Sequence, residues 1–226
     1  MSEDAPDWRA AARPVAAELR RLAEALSVNA LEPESLERAA ALLREAGALL
    51  DGPPRTRWYD RGGPALEIDA ETARAYLDQS PIRGELNPVA PPLRVEISKR
   101  ADGTPIVVAH ANLGPAYEGP PHGVHGGWVA ALFDDVLGTA QWLARSRGVT
   151  ARLEVAYRHV TPLEEDLRFE AWIESRRGRR IVARATCHAG DTLTAEAEAL
   201  FVTVDFRQVQ NHMETRRNPD PTDGTS

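Results

Sequence analysis

Cysteine occurs once in this chain of 226 residues, at Cys187. No intrachain disulfide can form and a cysteine-rich metal site is excluded, so the lone thiol reads as a small buried apolar group. No run of eighteen apolar residues occurs, and a membrane-spanning helix is excluded with it. Basic charge is also short: 27 Lys and Arg stand against 34 Asp and Glu, a formal net charge of −7. A chain of that sign has no general attraction for a nucleic-acid backbone. The acidic start, Met1-Ser2-Glu3-Asp4, has neither the basic-then-apolar plan of a signal peptide nor the Arg-rich plan of a transit peptide. The expected compartment is the cytoplasm.

What is present suits a compact enzyme. A hydrophobic content of 42% supplies a core, and the length fits one domain plus an extension. Residues 1–52 read as a helical extension. One amphipathic helix runs from Trp8 to Leu26, kinked or restarted at Pro14, and a second from Pro33 to Leu50, stopped by Gly52-Pro53-Pro54. Leu19, Leu22 and Leu26 mark the apolar face of the first, and Leu36, Leu42, Leu43, Leu49 and Leu50 that of the second. Six arginines against nine acidic residues in positions 1–50 disfavour a DNA-binding helix-turn-helix, and a hairpin packed on the core or between subunits is expected instead. Residues 53–92 form a Pro/Gly-rich connecting segment, in which 80–88 and 90–92 suit neither regular helix nor central strand.

The main domain is expected over 93–207, with a flexible polar tail at 208–226. Leu93 to Ser98 and Ile106 to Ala111 read as a hairpin around Ala101-Asp102-Gly103. Four further alternating stretches come after the central helix: Arg152 to His159, Leu167 to Glu174, Ile181 to His188 and Leu193 to Asp205. A turn must fall at Arg176-Arg177-Gly178-Arg179-Arg180. Helices followed by antiparallel strands make an α+β protein.

The chemistry concentrates between them. His122-Gly123-Val124-His125-Gly126-Gly127 runs into a proline-free helix, Trp128 to Leu143, on which Val129, Phe133, Val136, Ala140 and Leu143 form one buried face. First-turn amides have no acceptor within a helix, and the macrodipole adds partial positive charge there. Gly126 and Gly127 can therefore offer N–H groups to a developing oxyanion with no side chain in the way. Asp134 lies seven residues beyond Gly127, within about 20° around the helix axis, among the small residues Ala130, Ala131 and Gly138. Asp135 is rotated about 100° away and reads as an ordinary surface or ion-paired carboxylate. The axial gap from Gly127 to Asp134 is about 10 Å, whereas a reacting carbonyl carbon must lie about 3 Å from both oxyanion donor and nucleophile. One copy of the helix cannot close the site. Two antiparallel copies can, with Gly127 of one chain facing Asp134 of the other.

The pattern His-Gly-Gly, Asp nine positions after that histidine, then Gly138, resembles the hotdog-fold acyl-CoA thioesterases, particularly the branch related to the phenylacetate-pathway enzymes. Tyr117-Glu118-Gly119-Pro120-Pro121, Val149 to Leu153 and Tyr157 to Leu163 carry the likeness further, over about residues 93–205. The resemblance implies a hotdog fold: an antiparallel sheet of five or six strands wrapped around the helix from Gly127 to Ala144, preceded by two N-terminal helices, in a homodimer or dimer of dimers. It also implies hydrolysis of an acyl-CoA thioester with no metal and no cofactor beyond the coenzyme A of the substrate. In that family the residue matching Asp134 is nucleophile or general base and the glycine matching Gly127 supplies the oxyanion amide, while a Thr or Ser at the place of Thr150 holds the water or carboxylate. The residue matching His125 shapes the loop and polarises the site. Gly126 is a candidate substrate contact, and an Asn-Pro-x-Ala-Pro-Pro run near the ligand makes Asn87 and Arg83 candidate contacts as well. Trp128 is bulkier than usual and bears on acyl-chain length; Phe133, Trp142 and Tyr157 are either pocket or core. Arg176, Arg177, Arg179 and Arg180 are either a solvated turn or a fork for coenzyme A phosphates. A hotdog dehydratase with His125 as base, and a non-catalytic acyl-CoA sensor, are the competing readings.

Overall fold

The structure, a computed structural model, describes residues 7–55, 70–91, 93–144 and 148–204; the polar tail at 208–226 lies outside them. The chain divides into two compact units. The first comprises Met1–Leu93, Asn112–His125 and Pro162–Glu165, the second Arg94–Ala111, Gly126–Thr161 and Asp166–Ser226. Two loops within the stretch expected as one domain, 112–125 and 162–165, thus cluster with the N-terminal segment.

In the first unit, α1 (Trp8–Val28) starts at Asp7, whose carboxylate accepts from the Arg9 N–H at 3.1 Å, an N-cap that satisfies one orphan donor. Pro14 lies inside the helix, which continues through it. α2 (Pro33–Ala48) buries none of its residues, and Leu42, Leu43, Leu49 and Leu50 of this region are exposed. A third helix, α3 (Ala70–Gln79), stands where the sequence reads as connecting segment. Its own ten residues contain neither Gly nor Pro and include three alanines; helix formers there outweigh the turn formers on either side. α1 braces the end of α3 and the loop beyond it. Arg9 pairs with Asp78 at 2.6 Å, both side chains largely buried, and the Arg20 guanidinium donates to the carbonyls of Gly84, Glu85, Asn87 and Ala90 at 2.6–3.2 Å. Four carbonyls converge on one fork, which suits a planar donor array.

The second unit is a six-stranded antiparallel sheet on a helix. β1 (Arg94–Lys99), β2 (Pro105–Ala111), β3 (Gly148–Tyr157), β4 (Leu167–Arg177), β5 (Arg180–Ala189) and β6 (Thr192–Thr203) lie in the order β1-β2-β4-β5-β6-β3. The β4–β5 turn falls where the arginine-rich stretch predicts it. Gly178, at φ 57°, takes the first central position of a two-residue hairpin, which an L side chain would occupy only with strain. Helix α4 (Gly126–Ala140), continued by a 3-10 turn over Gln141–Ala144, packs on β2 through β6.

Alternate residues facing the helix build the core. Val107 and Ala109 on β2, Leu167, Phe169 and Ala171 on β4, Ile181, Ala183, Ala185 and Cys187 on β5, and Ala195, Ala197, Ala199 and Phe201 on β6 point to the helix and are buried. Seven of these thirteen are alanines, which keep the sheet's inner face shallow and leave volume for Leu132, Phe133, Val136 and Leu137 of α4. Phe133 meets Phe169 edge to face at 5.2 Å and 82°, the geometry aromatic quadrupoles favour. The opposite face is charged: Arg184 pairs with Glu198 at 3.0 Å and Arg158 with Glu196. Six strands wrapped on one central helix, with helices N-terminal to them, make the hotdog fold expected from the sequence.

Candidate active site

The buried and open faces of α4 decide what can reach Asp134. Val129, Leu132, Phe133, Val136, Leu137 and Ala140 are buried, and at 100° per residue they centre opposite the stripe of Gly127, Ala130, Ala131, Asp134 and Gly138. Every residue of that stripe is at least partly exposed. A Cβ added to Gly138 would meet nothing within 4 Å. The stripe is therefore an open face beside the carboxylate, about 10 Å of it separating Gly127 from Asp134.

β3 runs along this helix in the opposite direction and is fastened to it at three heights. At the far end, the amide of Gln141, itself 5% exposed, accepts from the Gly148 N–H at 2.9 Å and donates to the Gly148 carbonyl at 3.2 Å. In the middle, the Thr150 hydroxyl donates to Oδ1 of Asp134 at 2.8 Å. At the near end, the Tyr157 hydroxyl donates to the Gly126 carbonyl at 2.7 Å.

A β-bulge makes the middle contact possible. Leu153, Val155 and Tyr157 pair with Ala199, Ala197 and Ala195, buried inner-face residues of β6, so they too face the helix. Strict alternation would then send Thr150 to the outer face with Arg152 and Glu154. Instead the register slips between Thr150 and Arg152, Ala151 is left as the extra residue, and Thr150 pairs with buried Phe201. One inserted residue turns the hydroxyl toward Asp134.

The structure thus brings Asp134 and Thr150 together on the unit that also carries Gly126 and Gly127, the first two residues of α4. The first-turn N–H of Gly127 is directed out of the amino end of the helix, where the macrodipole is positive. Trp128 comes next, half-buried. Of the other expected residues, His125 ends a segment of the first unit and is exposed; its N–H donates to the Tyr117 carbonyl at 2.8 Å. Asn87 spends its side chain on its own loop, donating to the Gln79 carbonyl at 3.3 Å and accepting from Val89 N–H at 3.1 Å. Arg83, half-buried, donates its backbone N–H to the Ser80 hydroxyl. Both lie in the first unit. Arg176 donates to the Ala144 carbonyl at 2.6 Å and so closes the end of the 3-10 turn, and Arg179 donates to the Thr203 carbonyl. Arg177 is exposed at the end of β4. Among the described residues no group of three or more His, Cys, Asp or Glu is placed to hold a metal ion, and no helix is long and apolar enough to cross a membrane.

Two of the contacts that fasten β3 to the helix were not expected from the sequence. Gln141 carries no local signal, being one polar residue at the end of an apolar helix. Tyr157 was legible only as an aromatic, since its hydroxyl partner is a backbone atom thirty-one residues away.

Comparison with known proteins agrees with this architecture. Residues 122–196 match the family model of the thioesterase superfamily. The chain is 32% identical over 91 residues to the acyl-coenzyme A thioesterase THEM4 of Xenopus laevis and 35% identical over 92 residues to that of Mus musculus. Each match takes 39% of this chain and spans about two fifths of the relative, 41% and 39% respectively. A solved structure of a thioesterase superfamily protein superposes with a TM-score of 0.67 at 29% identity, covering 84% of this chain and 94% of that one. Over residues 122–196 the hotdog domain is thus similar to the thioesterase superfamily.

Proposed function

We propose that the protein hydrolyses an acyl-CoA thioester to the free acid and coenzyme A. The observation that carries the reading is the Thr150–Asp134 hydrogen bond on the open face of a helix that begins Gly-Gly: an oriented carboxylate and an amide donor on one element, with room for a substrate between chains. The names of the curated relatives point to the same substrate class.

In this reading the Asp134 carboxylate attacks the thioester carbonyl carbon, or takes a proton from a water that does so. Negative charge then develops on the carbonyl oxygen, where the Gly127 N–H of a second chain donates to it. Collapse of the tetrahedral species breaks the C–S bond, and coenzyme A leaves as a thiolate that needs little proton assistance. If Asp134 is the nucleophile, water then cleaves the acyl-aspartyl anhydride. No step needs a metal or a further cofactor.

The second chain is required by distance. About 10 Å along one helix is too far for one carbonyl group to touch both Gly127 and Asp134. β3, ten residues long and at one edge of the sheet, offers unpaired backbone groups for a two-fold partner. Such pairing runs the two α4 helices antiparallel, Gly127 toward Asp134. Arg177 and Arg180, both exposed, rather than Arg176, are the guanidiniums placed to meet coenzyme A phosphates.

Release of free thiol from a panel of acyl-CoA substrates, followed with a chromogenic disulfide, tests the proposal. Turnover of at least one acyl-CoA that Asp134→Asn abolishes is the expected result; no turnover by the wild-type chain across short, long and aromatic acyl groups refutes it.

A further inference from the structure

The first turn of α4 poses a problem that the site alone does not solve. An oxyanion donor helps only if its N–H is already aimed when charge appears, yet the turn is built from two glycines, the residues with the most backbone freedom. Something must hold that peptide.

The hydrogen bond from Tyr157 falls on the group in question. The Gly126 carbonyl and the Gly127 N–H belong to one peptide unit, planar and trans, with oxygen and hydrogen pointing in opposite directions. A donor on the oxygen therefore fixes the direction of the N–H, and by drawing electron density to the oxygen it makes the N–H a stronger donor. The carbonyl can accept this bond in addition to its helical one, because it has two lone pairs.

The placement of Tyr157 fits such a strut. It closes β3 on the helix-facing side, paired with buried Ala195. The two residues after it donate their N–H groups to the Thr194 carbonyl at 2.8 and 3.0 Å, so the strand end is fixed in place. Gly126 makes the approach possible. A Cβ there would stand 3.2 Å from Oη and 3.3 Å from Cζ of Tyr157, so the ring would have to give by a few tenths of an ångström and the hydrogen bond would lengthen.

We propose that Tyr157 is a positioning residue of the oxyanion site: through its 2.7 Å bond to the Gly126 carbonyl it aims and polarises the Gly127 N–H. The proposal rests on the thioesterase reading and adds a residue to it. Gly126 has a matching role, as the residue whose missing side chain admits the tyrosine.

The test uses the full chain with Tyr157→Phe, which keeps the ring and removes only the hydroxyl. On an acyl-CoA that the wild type turns over, kcat should fall about tenfold with KM unchanged, a smaller loss than deleting an oxyanion donor outright. The thermal midpoint should stay near that of the wild type. Gly126→Ala should also lower kcat, and the double variant should lose no more than Tyr157→Phe alone, since both act on one bond. A structural readout runs alongside: in protein labelled with 15N at its 16 glycines, the Gly127 amide resonance, identified by its disappearance in Gly127→Ala, should move in Tyr157→Phe. Full kcat in Tyr157→Phe, a change in KM alone, or an unmoved Gly127 resonance would each overturn the assignment while leaving the thioesterase reading intact. A wild-type chain that turns over no acyl-CoA overturns the parent reading instead.

Discussion

Thr150→Val isolates what the bulge in β3 achieves. The substitution is nearly isosteric and β-branched, so the strand keeps its preferred side-chain shape, while the hydroxyl that donates to Asp134 Oδ1 at 2.8 Å is lost. A hydrogen bond to a charged group is worth about 1.5–3 kcal/mol when shielded from solvent. Thr150 is exposed and Asp134 partly so, hence water replaces part of the bond and about 1 kcal/mol is the better figure here. If that energy orients the carboxylate for attack, it should appear in the barrier, and kcat/KM should fall about fivefold. Thr150→Ser, which retains the hydroxyl, should keep most of the activity. The assay is steady-state thiol release from one acyl-CoA, with thermal unfolding measured on each variant to show that the fold is retained. Equal rates for Thr150→Val and wild type would show that the hydrogen bond has no part in turnover. Equal damage from Val and Ser would assign the effect to packing.

The same helix and strand set the outcome of three other perturbations. Asp134→Asn should fold and associate normally yet lose roughly a hundredfold or more in kcat, as expected for a nucleophile or positioned base, with Asp135→Asn doing much less; a reversal of the two effects would show that Asp135 carries the chemistry. Mixing Asp134→Asn chains with Gly127→Pro chains, each inactive alone, should restore part of the activity, because one site of the heterodimer then has both an intact carboxylate and an intact amide; no recovery despite demonstrated subunit exchange rules out a shared site. Cys187 provides a pH test. Burial on the inner face of β5 pushes its thiol from 9.0 up to about 11, against a smaller opposing effect of the Thr194 hydroxyl. The neutral thiol is therefore favoured in the folded chain, and its stabilising contribution is complete below pH 9 and lost as pH rises toward about 11. Compared with Cys187→Ala, which cannot titrate, the wild type should lose stability relative to the variant across that window in chemical denaturation; a constant difference would mean that the folded thiol ionises as readily as the unfolded one.

What the sequence made legible was whatever depends on period and composition. A helix buried on one face and four alternating strands after it needed no tertiary information, and the glycine pair and Asp134 on a common stripe came from 100° per residue. What stayed hidden depends on single irregularities. Ala151 looks like any other strand residue, so alternation alone assigns Thr150 to the solvent face and only the resemblance pointed to it. α3 was obscured by the prolines and glycines on either side. Asn87 reads as a ligand contact because Asn after a Leu and before a Pro gives no sign that its amide is used on its own loop. Arg176 reads as part of an undivided basic turn, although one guanidinium of that cluster is committed to the end of the helix.

The irregularities nearest Asp134 lie in the partnership of β3 and α4. As an edge strand, β3 has only β6 beside it among the described residues, yet it carries the hydroxyl that donates to Asp134 and the one that donates to the Gly126 carbonyl. Gln141 sets its start against the helix end, the bulge corrects its parity after two residues, and Tyr157 fastens its finish to the first turn. Because strand and helix run in opposite directions, the Asp134 carboxylate and the Gly126–Gly127 peptide of one chain are held by the same ten residues at two heights. The partner proposed to pair on the edge of β3 would therefore meet both groups already spaced. In the proposed dimer its Gly127 would come opposite Asp134 and its Asp134 opposite Gly127, so that one contact would form two equivalent sites.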